Sequence, residues 1–388
     1  MEKESIKVSK KKIQIAEPLT GVDEWRATKE VFLSGWLTQG KKVNEFENAF
    51  AKYHNVKHAI AVSSCTTGLH LVLAASGINL GDEVIVPSFT WVSTANAVLY
   101  CGAKPILVDV DIKTNNINMD SILSKITKKT KAIIVVHLFG LCVDVDELRK
   151  KIDKKILIFE DCACAAGAKI KNKYAGSLGK AGVFSFHPRK AITTGEGGMI
   201  TTNDSKFAEK INILRNHGAS ISEEQRHNGP QPHILPDFNI LGYNYRMTDI
   251  QGSVGLVQLK KLNKILEYRN RWANYYLEKL ANIGWIMLPL YNKKDFVHGW
   301  QSFIIHINQN KSPLSRNNLM QYLFSNGVST RPGTHAIHML SYYKKKYRYK
   351  ANDYPNAKKC NNDAMALPLH NKMVKSDYDK IINLINNL

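Results

Sequence analysis

From about Asn55 onward, apolar runs rich in β-branched residues alternate with helical patterns, and this rhythm constrains the fold more than any other feature of the chain. "HAIAVSS" precedes "TTGLHLVLAAS", "EVIVPSF" precedes "TANAVLYCG", and "PILVDVD" precedes "MDSILSKI". "AIIVVHLFG" then precedes "DVDELRKKI", while "ILIFEDCA", "GVFSFH" and "GMITTN" add further strand candidates. Strands separated by helices of this length are βαβ units, whose crossovers require a mostly parallel sheet covered on both faces. The expected class is therefore α/β. Ligands in such sheets sit beyond the carboxyl ends of the strands. That geometry picks out residues 63–66, 88–91, 137–140 and 160–164, together with the stretch "FSFHPRKAITTGEGG" at 184–198.

After Gln251 the rhythm changes. "IQGSVGLVQLKKLNKILEYRNRWANYYLEKLANI" carries apolar residues at three- and four-residue spacing and predicts a long helix with kinks as its only breaks. Beyond it, "FIIHIN", the amphipathic "SRNNLMQYLFSNG" and "DYDKIINLINNL" predict a small α+β domain. The expected division is 1–255, an N-terminal segment plus the large domain, and 256–388, the long helix plus the small domain. No repeat or low-complexity linker separates them, so close packing is expected.

A chain of 388 residues with 44% hydrophobic side chains can bury a large core and a second, smaller one. Its 54 Lys+Arg against 33 Asp+Glu give a net charge of +21, which admits a nucleic-acid binder, a membrane-surface protein or an enzyme for anionic substrates. The lysines are scattered, and only "YYKKKYRYK" interleaves them with aromatics, a pattern able to stack bases. A solvated loop or helix end is the favoured reading there. "MEKESIKVSKKK" is followed by polar sequence and not by the apolar core of a signal peptide. "AIIVVHLFGLCV", interrupted by His137 and Gly140, is too short to cross a bilayer. The six cysteines form no CxxC pair, and the CxC of Cys162 and Cys164 lacks companion ligands, so free thiols in a cytoplasmic protein are expected, with no metal.

Lys190 lies between a strand and the glycines of "TTGEGG". An arbitrary lysine is a surface residue, but here Ser185 and His187 are polar positions in or just after a strand, and Gly195, Gly197 and Gly198 let the backbone bend around something bulky. A lysine in a partly desolvated cleft is a usable amine nucleophile. Asp161 ends the apolar run "KILIFE", where a carboxylate is either a strand-end cap or the partner of a cation such as a protonated pyridine nitrogen. Ser63, Ser64, Cys65, Thr66 and Thr67 open a helix and read equally as an N-cap or an anion site. Trp91 is either core or a flat plate against an aromatic ring. Each feature alone has a bland explanation. Jointly, a strand-end lysine, a strand-end aspartate, a phosphate-ready helix start and an aromatic plate fit pyridoxal 5'-phosphate.

On "EDCACAAGA", "GSLGKAGVFSFHPRKAITTGEGGMITTND" and "LGYNYRMTDIQ", the chain resembles the DegT/DnrJ/EryC1/StrS family of sugar aminotransferases, from about Leu33 to His370. The resemblance implies a type I pyridoxal-phosphate-dependent transferase fold with a mostly parallel seven-stranded sheet. It also implies Lys190 as the lysine that binds the cofactor covalently and Asp161 as the partner of its ring nitrogen. Trp91 would stack on the ring, Cys65, Thr66 and Ser185 would hold the phosphate, and Asn244 would reach the phosphate of the neighbouring subunit in a homodimer with shared sites. Arg246 would meet an anionic substrate group. Cys65 departs from the family's usual Gly, and Cys164 from the Gln or His that contacts the ring hydroxyl; a thiol is a poorer partner there.

The implied reaction is ping-pong. L-glutamate gives up its amino group and leaves as 2-oxoglutarate, with Lys190 moving the proton, and the nitrogen then passes to a keto group on a nucleotide-linked sugar. A bacterial surface-polysaccharide role is part of the same implication. Arg331 and His335, in "GVSTRPGTHAIHML", read either as substrate-facing residues or as a plain interdomain loop. Family dehydratases replace the lysine by His, so the presence of Lys190 favours transamination over dehydration. A non-enzymatic regulator or nucleic-acid binder is the rival from another class.

Overall fold

The computed structural model describes residues 12–219, 221, 233 and 235–388. The seven strand candidates all join one sheet, in the spatial order His58–Val62, Gly198–Thr202, Ala181–Ser185, Leu157–Asp161, Thr130–Val136, Glu83–Pro87 and Lys104–Val108. Four neighbouring pairs are parallel, as helical crossovers demand. Gly198–Thr202 runs antiparallel to both its neighbours. The physical reason is its connection: residues 186–197 hold no helix, so the chain turns back directly beside the strand it has just left.

Alternation within each strand feeds two faces. Ile60, Val62, Val84, Val86, Ile134 and Val183 pack under the helices Cys65–Ala75, Ser93–Tyr100 and Ser205–Arg215. Ala59, Ala61, Phe184 and Met199 face the opposite side with Phe46 and Phe50 of the helix Lys41–His54. Ile85, Ile133, Val135 and Ile158 continue that side beneath Val145–Lys151. Burial on both faces explains why these strands read as apolar runs and not as polar–apolar alternation.

The expected long helix is one uninterrupted element, Asp249–Lys279, of 31 residues, opened by a reciprocal cap between Thr248 and Gln251. Its first residue also organises its neighbour, because the Asp249 carboxylate accepts N–H bonds from Gly40 (2.8 Å), Lys42 (3.1 Å) and Val43 (2.9 Å) at the start of Lys41–His54. A Cβ on Gly255 would lie 2.5 Å from the Phe46 ring, so glycine there lets the two helices touch.

Past this helix, Ile286–Met287, Phe303–Ile307, Ala364–Leu367 and Arg331–Pro332 form a four-stranded antiparallel sheet. Its core holds Trp272, Tyr276, Trp300, Phe303, Leu319 and Tyr378. His335–Ala336 pairs antiparallel with Phe89–Thr90 and stitches this unit to the mouth of the large sheet. Within "YYKKKYRYK", Tyr343 is buried and its hydroxyl donates to Asn96 Oδ1 (2.7 Å), while the lysines stay in solvent. That is the solvated helix face expected of the run. Among the described residues no helix is long and apolar enough to cross a membrane.

Candidate active site

At the carboxyl ends of the parallel strands lies a cavity of about 230 Å³ whose wall includes Cys65, Asp161, Cys164, Ser185 and Lys190. Trp91, Thr66 and Arg331 also line it. Residues drawn from five separate stretches of the chain therefore share one space.

Asp161 closes the strand Leu157–Asp161 and is buried. Its Oδ2 accepts a hydrogen bond from Thr94 Oγ1 (2.8 Å), and its Oδ1 accepts one from the Ala163 N–H (3.1 Å). Burial pushes the carboxyl above its ordinary value, against the pull of those two bonds and of Lys190. A buried acid with two neutral donors and a cavity in front of it is suited to a cationic partner. Thr94 was not singled out by the sequence; it lies in the first turn of the helix that follows Trp91, with its hydroxyl 3.3 Å from that of Thr90.

Lys190 is mounted by the loop between Ala181–Ser185 and Gly198–Thr202. Its N–H donates to the His187 carbonyl (2.9 Å), and Thr193 Oγ1 and the Thr194 N–H both donate to the Phe186 carbonyl. Gly195 and Gly197 take φ of 84° and 157°, where a side chain is strained. Glu196 uses its carbonyl more than its exposed side chain: that oxygen accepts from Thr194 Oγ1 (2.6 Å) and Gln251 Nε2 (2.7 Å). Among the described residues the Lys190 ammonium makes one hydrogen bond, to Cys164 Sγ at 3.4 Å.

The helix Cys65–Ala75 starts at the cavity wall. Ser64 and Thr67 cap each other, with Thr67 N–H on Ser64 Oγ (3.1 Å) and Ser64 N–H on Thr67 Oγ1 (3.0 Å). The N–H groups of Cys65 and Thr66 belong to the first turn, which has no intrahelical acceptor to offer. The Cys65 thiol points inward, 3.6 Å from the Val183 carbonyl and 4.0 Å from Asp161 Oδ1, and burial holds it protonated. What Cys65 presents to an anion is thus backbone. Trp91 is 52% exposed, with its ring 5.6 Å from that of His335, so it is not a core residue. Arg331 lines the cavity, whereas His335 is exposed beside Trp91.

Asn244 and Arg246 are not on the wall of this cavity. Asn244 is exposed and bridges Asn216 in the backbone, and Arg246 Nη1 donates to Asn216 Oδ1 (2.8 Å). Among the wall residues given no role from the sequence are Arg189, hidden in a basic pair, and Gln301, which arrives from over a hundred positions downstream with no local pattern to mark it.

Buried beneath the site, His137, Glu160 and Cys162 bring possible metal-ligating atoms within 4.8 Å of one another. The acid and the imidazole are already engaged. Glu160 accepts from the N–H groups of Gly176, Leu178 and Gly179, and His137 Nδ1 accepts from the Val143 N–H (3.0 Å), which leaves Nε2 to donate to Glu160 (2.8 Å). The trio is a brace for the strand end that carries Asp161.

The residues present fit pyridoxal phosphate: a lysine amine in the cavity, a buried carboxylate beside it, and a helix N-terminus with hydroxyls at its edge. Known proteins point the same way. A model of the DegT/DnrJ/EryC1/StrS aminotransferase family matches residues 19–386. GDP-perosamine synthase of Caulobacter vibrioides is 38% identical over 373 residues, 96% of each chain. The Streptococcus pneumoniae protein Spr1654, provisionally a sugar aminotransferase and solved in its PMP form, superposes with a TM-score of 0.90 at 27% identity, covering 97% of this chain and 98% of its own. A GDP-4-keto-6-deoxymannose-3-dehydratase, solved as a point mutant with bound GDP-perosamine, gives a TM-score of 0.87 at 28% identity over 96% of this chain and 100% of its own.

Proposed function

The chain belongs to the DegT/DnrJ/EryC1/StrS aminotransferase family, and on that premise we propose that it moves the amino group of L-glutamate to a keto group of a nucleotide-diphosphate-linked deoxysugar. The cofactor is pyridoxal 5'-phosphate. The observation that carries the reading is the convergence of Lys190 and Asp161 on one cavity at the strand ends.

When bound, the cofactor supplies an electrophilic carbon and an electron-accepting ring. The chain's own residues do the rest. Asp161, oriented by Thr94, holds a proton on the ring nitrogen. Lys190 would hold the cofactor, and its amine is the group placed to carry a proton to and from the donor carbon. The backbone at Cys65 and Thr66, with Ser185, receives the phosphate at the helix start. Trp91 offers an aromatic plate at the mouth, and Arg331 and Arg246 are the cations available to anionic substrate groups.

Similarity to a GDP-perosamine synthase supports a nucleotide-linked sugar as acceptor. The homologous dehydratase represents the other chemistry on this fold. Lys190 stands in this chain where the dehydratases have His, which favours amino transfer. The exposed position of Asn244 outside its own cavity supports a homodimer in which it serves the neighbouring site. So do the exposed apolar side chains of Trp25, Phe32 and Leu33 on the helix Val22–Ser34, residues of the kind found on partner surfaces. Six unpaired thiols are compatible with a cytoplasmic setting, and a role in O-antigen, lipopolysaccharide or other amino-sugar biosynthesis follows from the acceptor class.

The direct test incubates the holoenzyme with glutamate and a panel of nucleotide-linked keto sugars and reads products by mass. An amino group in place of the keto oxygen, with 2-oxoglutarate formed, is the expected result. Loss of water from the sugar, or no glutamate-dependent product from any member of the panel, sinks the proposal.

A further inference from the structure

Two guanidinium groups in the cavity have no ion-pair partner among the described residues. Arg189 immediately precedes Lys190 and has its backbone pinned on both sides: its N–H donates to His187 Nδ1 (3.2 Å), and its carbonyl accepts from Gln301 Nε2 (3.2 Å). Its exposed guanidinium makes no hydrogen bond or ion pair among the described residues. Arg331 reaches the same cavity from the edge strand of the small sheet and is more enclosed. Among the described residues its guanidinium makes one hydrogen bond, from Nη2 to the Gly333 carbonyl (3.2 Å). Burial and the nearby like charge of Arg189 both weaken its hold on its proton. A guanidinium carries five N–H donors, and leaving an enclosed one with a single carbonyl is costly.

The acids on the cavity wall do not relieve this. Asp161 is spent on Thr94 and Ala163, and Glu196 makes no ion pair among the described residues. The phosphate end, at Ser64 to Thr66 and Ser185, is built of neutral donors. The two arginines are therefore left for a second anion.

Position decides which anion. Arg189 is the chain neighbour of Lys190, and Cys164, 3.4 Å from the Lys190 amine, is among the groups that act on Arg331. In an amino acid the carboxylate is one bond from the carbon that gives up nitrogen. In a nucleotide sugar the diphosphate is held off from the keto carbon by the glycosidic oxygen, the anomeric carbon and at least one further ring carbon. An anion seated beside the lysine is thus a carboxylate.

The geometry points to a dicarboxylate site, with Arg331 receiving the carboxylate next to the reacting carbon and Arg189, at the mouth, receiving the distal one. This rests on the amino-transfer reading and deepens it: Arg189 is the residue that selects a dicarboxylic donor over a monocarboxylic one such as alanine.

Binding without turnover tests it. Holoenzyme is titrated calorimetrically with glutarate, with butyrate and with GDP, using wild type, Arg189→Ala, Arg331→Ala and the charge-keeping Arg331→Lys. Wild type should prefer glutarate to butyrate by about tenfold or more, the scale of one charge-assisted pair. Arg189→Ala should erase that preference, both Arg331 variants should weaken both acids, and GDP binding should stay within about twofold throughout. Equal glutarate and butyrate binding in wild type, a preserved preference in Arg189→Ala, or a loss that falls on GDP would each overturn the assignment. Glutamate failing to transfer its amino group while glutarate binding follows this pattern would sink the reaction and leave the site standing.

Discussion

Thr94 Oγ1 donates a 2.8 Å hydrogen bond to Asp161 Oδ2, tying the helix that follows Trp91 to the carboxylate at the floor of the cavity. The Ala163 N–H holds the other oxygen, so the group has one orientation in a site that burial makes expensive for its charge. Removing the hydroxyl at constant shape, Thr94→Val, should weaken cofactor affinity by about three- to tenfold, and Asp161→Asn by about a hundredfold, read by fluorescence titration. In the cofactor-free protein the raised Asp161 carboxyl binds its proton more tightly folded than unfolded. Stability should therefore fall as pH rises from the ordinary carboxylate value of 3.8 toward the raised one, and Asp161→Asn should lose that slope. Parallel melting curves for the two proteins would remove this account of Asp161.

Cys164 is a partly exposed thiol on the cavity wall, while Cys65, Cys142, Cys162 and Cys360 are buried. Iodoacetamide should label Cys164 in the cofactor-free protein, and pyridoxal phosphate should protect it. Cys101, also partly exposed but off that wall, should react alike in both forms. Peptide mass mapping reads the result, and equal labelling of Cys164 with and without cofactor would move the ring away from it.

Gly198 begins the antiparallel strand directly against the helix start. A Cβ there would stand 2.6 Å from the Ser64 carbonyl carbon and 2.7 Å from the Cys65 nitrogen. Gly198→Ala must push the phosphate-facing turn outward, at a cost of about 1–3 kcal/mol. We expect a lower melting temperature together with weaker phosphate and cofactor binding. A variant as stable and as tightly loaded as wild type would show that the turn yields freely.

His298 is stacked on Trp300 at 3.8 Å, with its Nδ1 accepting the Trp300 N–H at 2.9 Å, and burial pushes it down to about 3. The unfolded chain takes up a proton below the ordinary value of 6.5 that the folded chain refuses until about 3, so stability is lost as pH falls through that window. His298→Asn keeps an acceptor for the Trp300 N–H and should flatten the acid limb of a denaturation-versus-pH curve by one proton's slope. His54, buried and held near 3 as well, should leave part of the limb in place.

Asn244 tests the assembly. If it serves the neighbouring subunit, refolding Lys190→Ala together with Asn244→Ala should restore about a quarter of wild-type activity through hybrid dimers that hold one intact site each. Absence of any recovery would return Asn244 to its own chain.

Much of this architecture is legible in the sequence. The strand runs from "HAIAVSS" to "GMITTN" were apolar because both faces of the sheet are covered, and each took its place in the one sheet. Lys190, Asp161, Cys65, Thr66, Trp91, Cys164 and Ser185 share one cavity because each lies at or beyond the carboxyl end of a strand, and Arg331 joins them from the edge strand of the small sheet. Less legible were features that depend on partners far apart in the chain. Glu160 looked like part of a strand end, but its carboxylate closes the 176–179 turn and engages His137. Nothing local marks Gly255 within its helical pattern, yet it is a point of contact with Phe46.

What the chain's order of residues determined alone was the set of chemical groups and the layer they occupy, since periodicity is local and strand ends follow from it. Which of those groups meet was decided by tertiary structure. The inward turn of the Cys65 thiol, the reach of Gln301 to the Arg189 carbonyl, and the approach of Arg331 to the lysine loop all depend on sheet order and on the docking of the small sheet. Those distances are set by packing between elements far apart in the chain, and no local pattern encodes them.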